Sequence, residues 1–163
     1  MVQDKKRCQL VEKLGVHFEQ KDKIAPVAAR ILSYIILNGK KGTTFEELVE
    51  KLCASKSTIS THLTNLQGAN KVSYFTKTGD RKKYFILDPG TIVHSIDEMV
   101  SLWSTHKELH SEIKEFKHNI NELPETLEAE RFDLDFHDDY IEFLEKTIAS
   151  VSLLKEKIIN KNK

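Results

Sequence analysis

The chain is poor in the residues that usually announce chemistry. It has 163 residues, with two cysteines, three prolines and six glycines. Cys8 and Cys53 lack metal-ligand spacing. Both are expected to be reduced, with Cys53 packed against the core. The glycines form no phosphate-binding loop, and no nucleophile elbow or HExxH pattern appears. Catalysis, a cofactor and a resident metal are therefore not expected. No apolar run approaches the ~20 residues needed to cross a bilayer; the longest, Ile35-Ile36-Leu37, belongs to a short helix. The opening MVQDKKRCQ lacks the apolar centre of a signal peptide. These absences predict a cytoplasmic protein with no membrane partner. Net charge is absent too: 25 basic residues balance 25 acidic ones. The bulk attraction of a polycation for nucleic acid is thus missing, and non-specific DNA binding should be weak.

What is present is concentrated in residues 43–87, which read as helix, tight turn, helix and basic hairpin. Phe45, Leu48, Val49 and Leu52 give the first helix, Thr44 to Cys53, one apolar face. Thr43 or Thr44 can cap it, with Glu46 or Glu47 reaching back. After Ala54-Ser55-Lys56, Ser55 is placed to cap the second helix. There Ile59, Leu63 and Leu66 form a narrow core stripe. The opposite face carries Ser57, Thr58, Ser60, Thr61, Thr64 and Asn65. Serine and threonine are mediocre helix formers, so a run of them on an exposed face suggests a use beyond solubility. Short hydroxyls let a helix approach base edges and phosphates closely.

A hairpin follows, from Val72 to Thr76 and from Arg81 to Leu87, with Tyr84 and Ile86 on one face and Phe85 and Leu87 on the other. Lys77-Thr78-Gly79-Asp80 has turn chemistry. Lys77, Arg81, Lys82 and Lys83 gather at the tip, where a phosphate clamp is expected. The expected reading set is Ser55, Lys56, Ser57, Thr58, Ser60, Thr61, Thr64, Asn65, Lys77, Arg81, Lys82 and Lys83. Ser57, Thr58, Thr61 and Asn65 face the groove and Lys56 the backbone. This is the layout of a winged helix-turn-helix, which sets its second helix in the DNA major groove.

Charge is unevenly spread. Residues 1–53 carry 10 basic and 7 acidic side chains, residues 54–94 carry 6 and 2, and residues 95–163 carry 9 and 16. A basic reading segment joined to an acidic tail fits one face meeting phosphate and another meeting solvent or protein.

The flanking regions are helical. Leu10, Val11, Leu14 and Phe18 mark a first helix, followed by a break around Lys21 to Ala25. Pro26 opens a second helix, with Val27, Ile31, Tyr34, Ile35 and Leu37 apolar and Gly39 ending it. Beyond Asp88-Pro89-Gly90, Ile92, Ile96, Met99, Trp103 and His106 follow a heptad, and Leu109, Ile113, Phe116, Ile120 and Leu123 resume it after a skip. Pro124 stops this helix. A last helix runs from about Asp135 to Ile159, and the tail INKNK is expected to fray.

So long a helix is hard to bury in a small monomer. A homodimer is predicted, joined through Ile92, Ile96, Met99, Trp103, Ile113, Phe116 and Ile120, the last helix and the N-terminal helix. The divisions are 1–25 (N-terminal dimer contact), 26–90 (winged helix-turn-helix) and 91–163 (helical dimerisation). Trp103, Phe132, Phe136 and Tyr140 are candidates to line an effector cleft, with plain hydrophobic core as the alternative. His137, Asp138, Asp139 and Glu142 read as a solvated acidic helix start. His106 and His110 are spaced for a metal pair, with His106 packed or bonded on the seam the better reading.

EKLGVHFEQ, APVAARILSYIIL, TFEELVEKLCASKSTISTHLTNL and TKTGDRKKYF occur in order over residues 12–85. In these segments the chain resembles the GbsR branch of the MarR-type transcriptional regulators. The resemblance implies a mainly α winged helix-turn-helix protein with a two-stranded β-wing and long C-terminal dimerisation helices. It implies a homodimeric regulator of double-stranded DNA, usually a repressor, with dimer contacts from the terminal helices; the founding group responds to choline, and a small-molecule effector is a candidate partner here. The alternatives are a winged-helix protein-protein module and a nucleoid-type DNA binder without sequence preference.

Overall fold

Pro26–Asn38 is apolar on nearly every side, and it is buried accordingly: Ala28, Ala29, Ile31, Leu32, Ser33, Tyr34 and Ile35 are all shielded. Ser33 fits this setting by donating its hydroxyl to the Ala29 carbonyl at 2.7 Å, which avoids the cost of an unpaired buried hydroxyl. The computed structural model describes residues 2–161, with side chains from residue 4. Its elements are α1 (Val2–Asp22), α2 (Pro26–Asn38), α3 (Phe45–Leu52), α4 (Lys56–Gly68), β1 (Val72–Thr76), β2 (Lys83–Leu87), α5 (Gly90–Asn121) and α6 (Asp135–Lys161). Short 3-10 turns lie at Gly39–Lys41 and Glu128–Glu130. This is a mainly helical winged helix-turn-helix with a two-stranded wing and long C-terminal helices. The chain divides into two compact units, Met1–Thr91 and Ile92–Lys163.

In the first unit α2 is the hub. Val11 of α1, Leu48 of α3, Ile59, Leu63 and Leu66 of α4, and Val72 and Phe85 of the wing join its core. Arg30 of α2 pins α1 through Glu12 at 2.8 Å and Glu19 at 2.5 Å. Lys71 pairs with Asp22 at 2.9 Å and ties the end of α1 to the start of the wing. Leu10, expected on the apolar face of α1, instead points outward and is 37% exposed, because Val11 takes the core position.

The caps form as their chemistry dictates. The Thr44 hydroxyl accepts the Glu47 amide at 3.2 Å, and the Glu47 carboxylate accepts the Thr44 amide at 2.8 Å. Cys53 ends α3 in a left-handed conformation, φ 49°. That conformation turns it out of the core. Contrary to expectation Cys53 is exposed, as is Cys8, and both line one cavity between α1, α2 and the end of α3.

β1 and β2 pair antiparallel, with Phe75 opposite Tyr84 and Val72 opposite Leu87. The second strand starts at Lys83, so Arg81 and Lys82 belong to the loop rather than to the strand expected from Arg81 onward. A further backbone pairing was not legible in the sequence. Thr43 exchanges two hydrogen bonds with Phe85, at 2.9 and 2.8 Å, and seats the wing beside the start of α3.

In the second unit α6 runs antiparallel to α5. Asp97 meets Lys155 at 2.5 Å, Lys107 meets Glu145 at 3.6 Å, and Lys114 meets Asp138. Asn121, the last residue of α5, exchanges two hydrogen bonds with the backbone of Phe132. α5 thus ends ahead of Pro124. α6 stays helical through Lys161, so the expected fraying does not reach Ile159–Lys161; residues 162–163 lie outside the described residues. No helix among the described residues is long and apolar enough to cross a membrane.

Candidate nucleic-acid interface

α4 places the expected reading residues on its outer side. Ile59, Leu63 and Leu66 are buried, whereas Lys56, Ser57, Ser60, Thr61, Thr64 and Asn65 are exposed and Thr58 is half-buried. Ser55 caps the helix, accepting the Thr58 amide at 3.1 Å, and its hydroxyl lies 2.8 Å from that of Thr58. Thr61 donates to the Ser57 carbonyl and Thr64 to the Ser60 carbonyl, both at 3.0 Å. These back-bonds occupy the hydroxyl protons. Thr61 and Thr64 therefore offer a methyl group and acceptor lone pairs, a surface suited to a thymine methyl or a base amino group. Asn65 stands on a flank, lining a shallow groove with Ile24, Ala25 and His62.

The tip of the wing is organised by its one acid. Asp80 accepts the Lys82 amide at 2.9 Å through one oxygen and the Tyr84 hydroxyl at 2.6 Å through the other. These bonds hold its carboxyl below the usual carboxylate range and push the Tyr84 phenol above its own. Gly79 has φ 79°, which the turn needs and a side chain would resist. Lys77 lies 3.8 Å from the centre of the Tyr84 ring, and Lys83 lies 4.2 Å from that of Tyr74. Phe75 stacks on Tyr84 at 5.4 Å, whereas Tyr74 packs edge-on against Phe85. Lys77 and Lys83 thus stand on opposite faces of the hairpin, with Arg81 and Lys82 exposed at its end. Among the described residues none of these four cations is in an ion pair.

Gly42 is a structural position under the wing that the sequence alone did not single out. Its backbone has φ 75° and ψ 165°, a region essentially reserved for glycine. A Cβ there would sit 2.8 Å from the Tyr84 Cβ and 3.1 Å from the Phe75 ring. The wing leans on this missing side chain. Its signal in the sequence was a second glycine three residues after the helix-ending Gly39.

The helical unit distributes the remaining candidates. Ile92, Met99, Ile113 and Phe116 are 48%, 41%, 42% and 65% exposed in the single chain. Ile120 and Trp103 are half-buried, and Ile96 is buried. Of the candidate cleft, Phe136 and Tyr140 stack at 5.7 Å and continue to Phe143 at 6.2 Å. Phe132 instead lies 5.4 Å from Lys117, and Trp103 makes no ring contact with the others among the described residues. The expected solvated acidic start of α6 needs correction at His137, which is only 5% exposed and is bonded to α5. Burial there follows from helix pairing, which the sequence of α6 alone does not reveal. His106 lies 3.5 Å from the Tyr140 hydroxyl, and His110 reaches His137. Among the described residues no group of three or more His, Cys, Asp or Glu is placed to hold a metal ion.

No protein-family model matches the sequence, and no curated protein matches it. Solved structures do. One described as the crystal structure of a transcriptional regulator aligns over 95% of this chain and 99% of its own, at 20% identity and a TM-score of 0.52. A mutant of S. aureus MepR aligns over 92% of this chain and 93% of its own, at 17% identity and a TM-score of 0.42. At such identities the likeness is one of fold, and the first of the two shares that fold over nearly the whole length of both chains.

Proposed function

We propose that this protein is a sequence-specific DNA-binding transcriptional regulator of the MarR-like kind, acting as a homodimeric repressor in the cytoplasm, with the GbsR branch as the finer assignment. The observation that carries the reading is the pairing of an outward hydroxyl-rich helix with a basic wing tip whose cations are in no ion pair among the described residues. Beyond Lys56 the exposed side chains of α4 are short and polar, and the hairpin beside it presents Lys77, Arg81, Lys82 and Lys83. In this assignment Ser57, Thr58, Thr61 and Asn65 meet base edges, and Ser55, Lys56, Ser60 and Thr64 lie along the phosphates. The wing cations neutralise further phosphates or reach the adjacent minor groove.

Assembly rests on the helical unit. Ile92, Met99, Leu102, Leu109, Ile113 and Phe116 are each more than 40% exposed on one 32-residue helix. Monomers seldom leave so long an apolar stripe uncovered, and a second copy would cover it. Residues 26–90 then read DNA, while residues 91–163, aided by 1–25, join the protomers. Two reading modules would meet half-sites ~10 bp apart, centre to centre, on a roughly palindromic operator. A small effector that favoured one spacing by ~1–3 kcal/mol would change occupancy 5- to 150-fold. The aromatic stack of Phe136 and Tyr140 could receive it.

Fluorescence anisotropy with DNA flanking the protein's own gene, read against random DNA across a salt series, tests this reading. Tight binding to a discrete site with random DNA a poor competitor supports it. Equal competition by random DNA would replace it with a nucleoid-type binder, and no binding with a protein partner instead would make the fold a protein-protein module.

A further inference from the structure

One polar knot interrupts the pairing of α5 with α6. His137, in the first turn of α6, is 5% exposed although Phe136 and Asp138 beside it are exposed. Its Nδ1 lies 3.0 Å from Nδ1 of His110, and its Nε2 lies 3.0 Å from Nζ of Lys117. Both partners are on α5. The His110 ring also packs edge-on against Tyr140 and Phe136, at 4.5 and 6.0 Å.

The proton count of this chain of contacts has one consistent solution with a charged lysine. An ammonium has donors only, so Nε2 of His137 must accept. His137 is then neutral with its proton on Nδ1, which donates to an unprotonated Nδ1 of His110. Both imidazoles must therefore be neutral. A proton added to His137 would face the Lys117 ammonium, and one added at Nδ1 of His110 would face the N–H of His137. Either event breaks a hydrogen bond and sets two donors against each other.

We propose that His110, His137 and Lys117 form an acid-released latch that clips the first turn of α6 to α5. The charged groups around it favour release. From α5, Lys114 and Lys117 both oppose a proton on His137, as does His110. From α6, Asp138 favours one, but it is already engaged by Lys114. Tyr140 and His106 are bonded to each other at the edge of the knot. Desolvation is the largest influence, and with Lys117 and His110 it lowers the His137 pKa below that of a free imidazole. A group that is harder to protonate when latched contributes its full stability above the free value of 6.5. As pH falls below that value the open state takes up a proton that the latched state refuses, so the latch weakens with acid. Any resulting loss of operator binding would rest on the DNA-binding reading above; the latch itself does not.

The test uses the full chain. In a histidine NMR titration His137 should protonate below the free imidazole value, and Lys117→Met should move it upward. In hydrogen exchange corrected for intrinsic pH effects, residues 135–141 should lose protection between pH ~7.5 and ~5.5 while residues 148–158 keep theirs. His137→Asn retains a donor toward His110 but cannot be charged, so its residues 135–141 should lose no extra protection in acid. A wild-type His137 that protonates at or above the free imidazole value would overturn the latch, whatever the variants do. So would the same acid-induced loss of protection in His137→Asn.

Discussion

Replacing Gly42 by alanine isolates what holds the wing in place. Two costs add at this position. The backbone at φ 75° and ψ 165° strains any residue with a Cβ by ~1–3 kcal/mol. The new methyl would also meet the Tyr84 Cβ at 2.8 Å and the Phe75 ring at 3.1 Å. The Tyr84 atom is fixed to its backbone, so relief requires movement of the strand, an overpacking cost of ~1–3 kcal/mol. Gly39→Ala is the matched control, because Gly39 has φ 58° but nothing within 4 Å of an added Cβ. Gly42→Ala should thus be less stable than Gly39→Ala by ~1–3 kcal/mol, roughly 5–20 °C in the melting of a unit this size. Amide exchange gives the local readout. The Thr43 and Phe85 amides, which bond each other's carbonyls, should lose protection in Gly42→Ala and keep it in Gly39→Ala. Equal stability of the two variants, with Thr43 and Phe85 still protected, would refute the seating of the wing on Gly42.

Three predictions concern DNA and assembly. Arg81→Ala should weaken binding to all sequences alike and make the salt slope shallower by about one; a loss confined to the operator would show that Arg81 reads bases. Thr61→Gln should change the preferred site recovered from a randomised operator library as well as the affinity, because the longer side chain replaces a methyl face by an amide; an unchanged preference would remove Thr61 from the groove. Met99→Glu combined with Ile113→Lys should yield a monomer by sedimentation and abolish operator binding with it; a monomer that retained full operator affinity would end the dimer argument.

The features legible in the sequence were those set by neighbours along the chain. The Thr44–Glu47 capping box, the Ser55 cap and the Ile59, Leu63, Leu66 stripe are products of helical spacing and short-range hydrogen bonding, and all three stand where expected. So does the alternation of the wing, because strand pleating puts successive side chains on opposite faces. Contacts between distant segments were another matter. The covered side of α5 is a mixture of Ile96, Lys107, His110, Lys114 and Lys117, whereas periodicity favoured its apolar stripe. Apolar spacing reports which residues would gain from burial, but a partner helix decides which are buried. His137 and Gly42 took their roles the same way. A buried imidazole between two bonds and a glycine under an aromatic pair each depend on atoms brought together only by the folded chain.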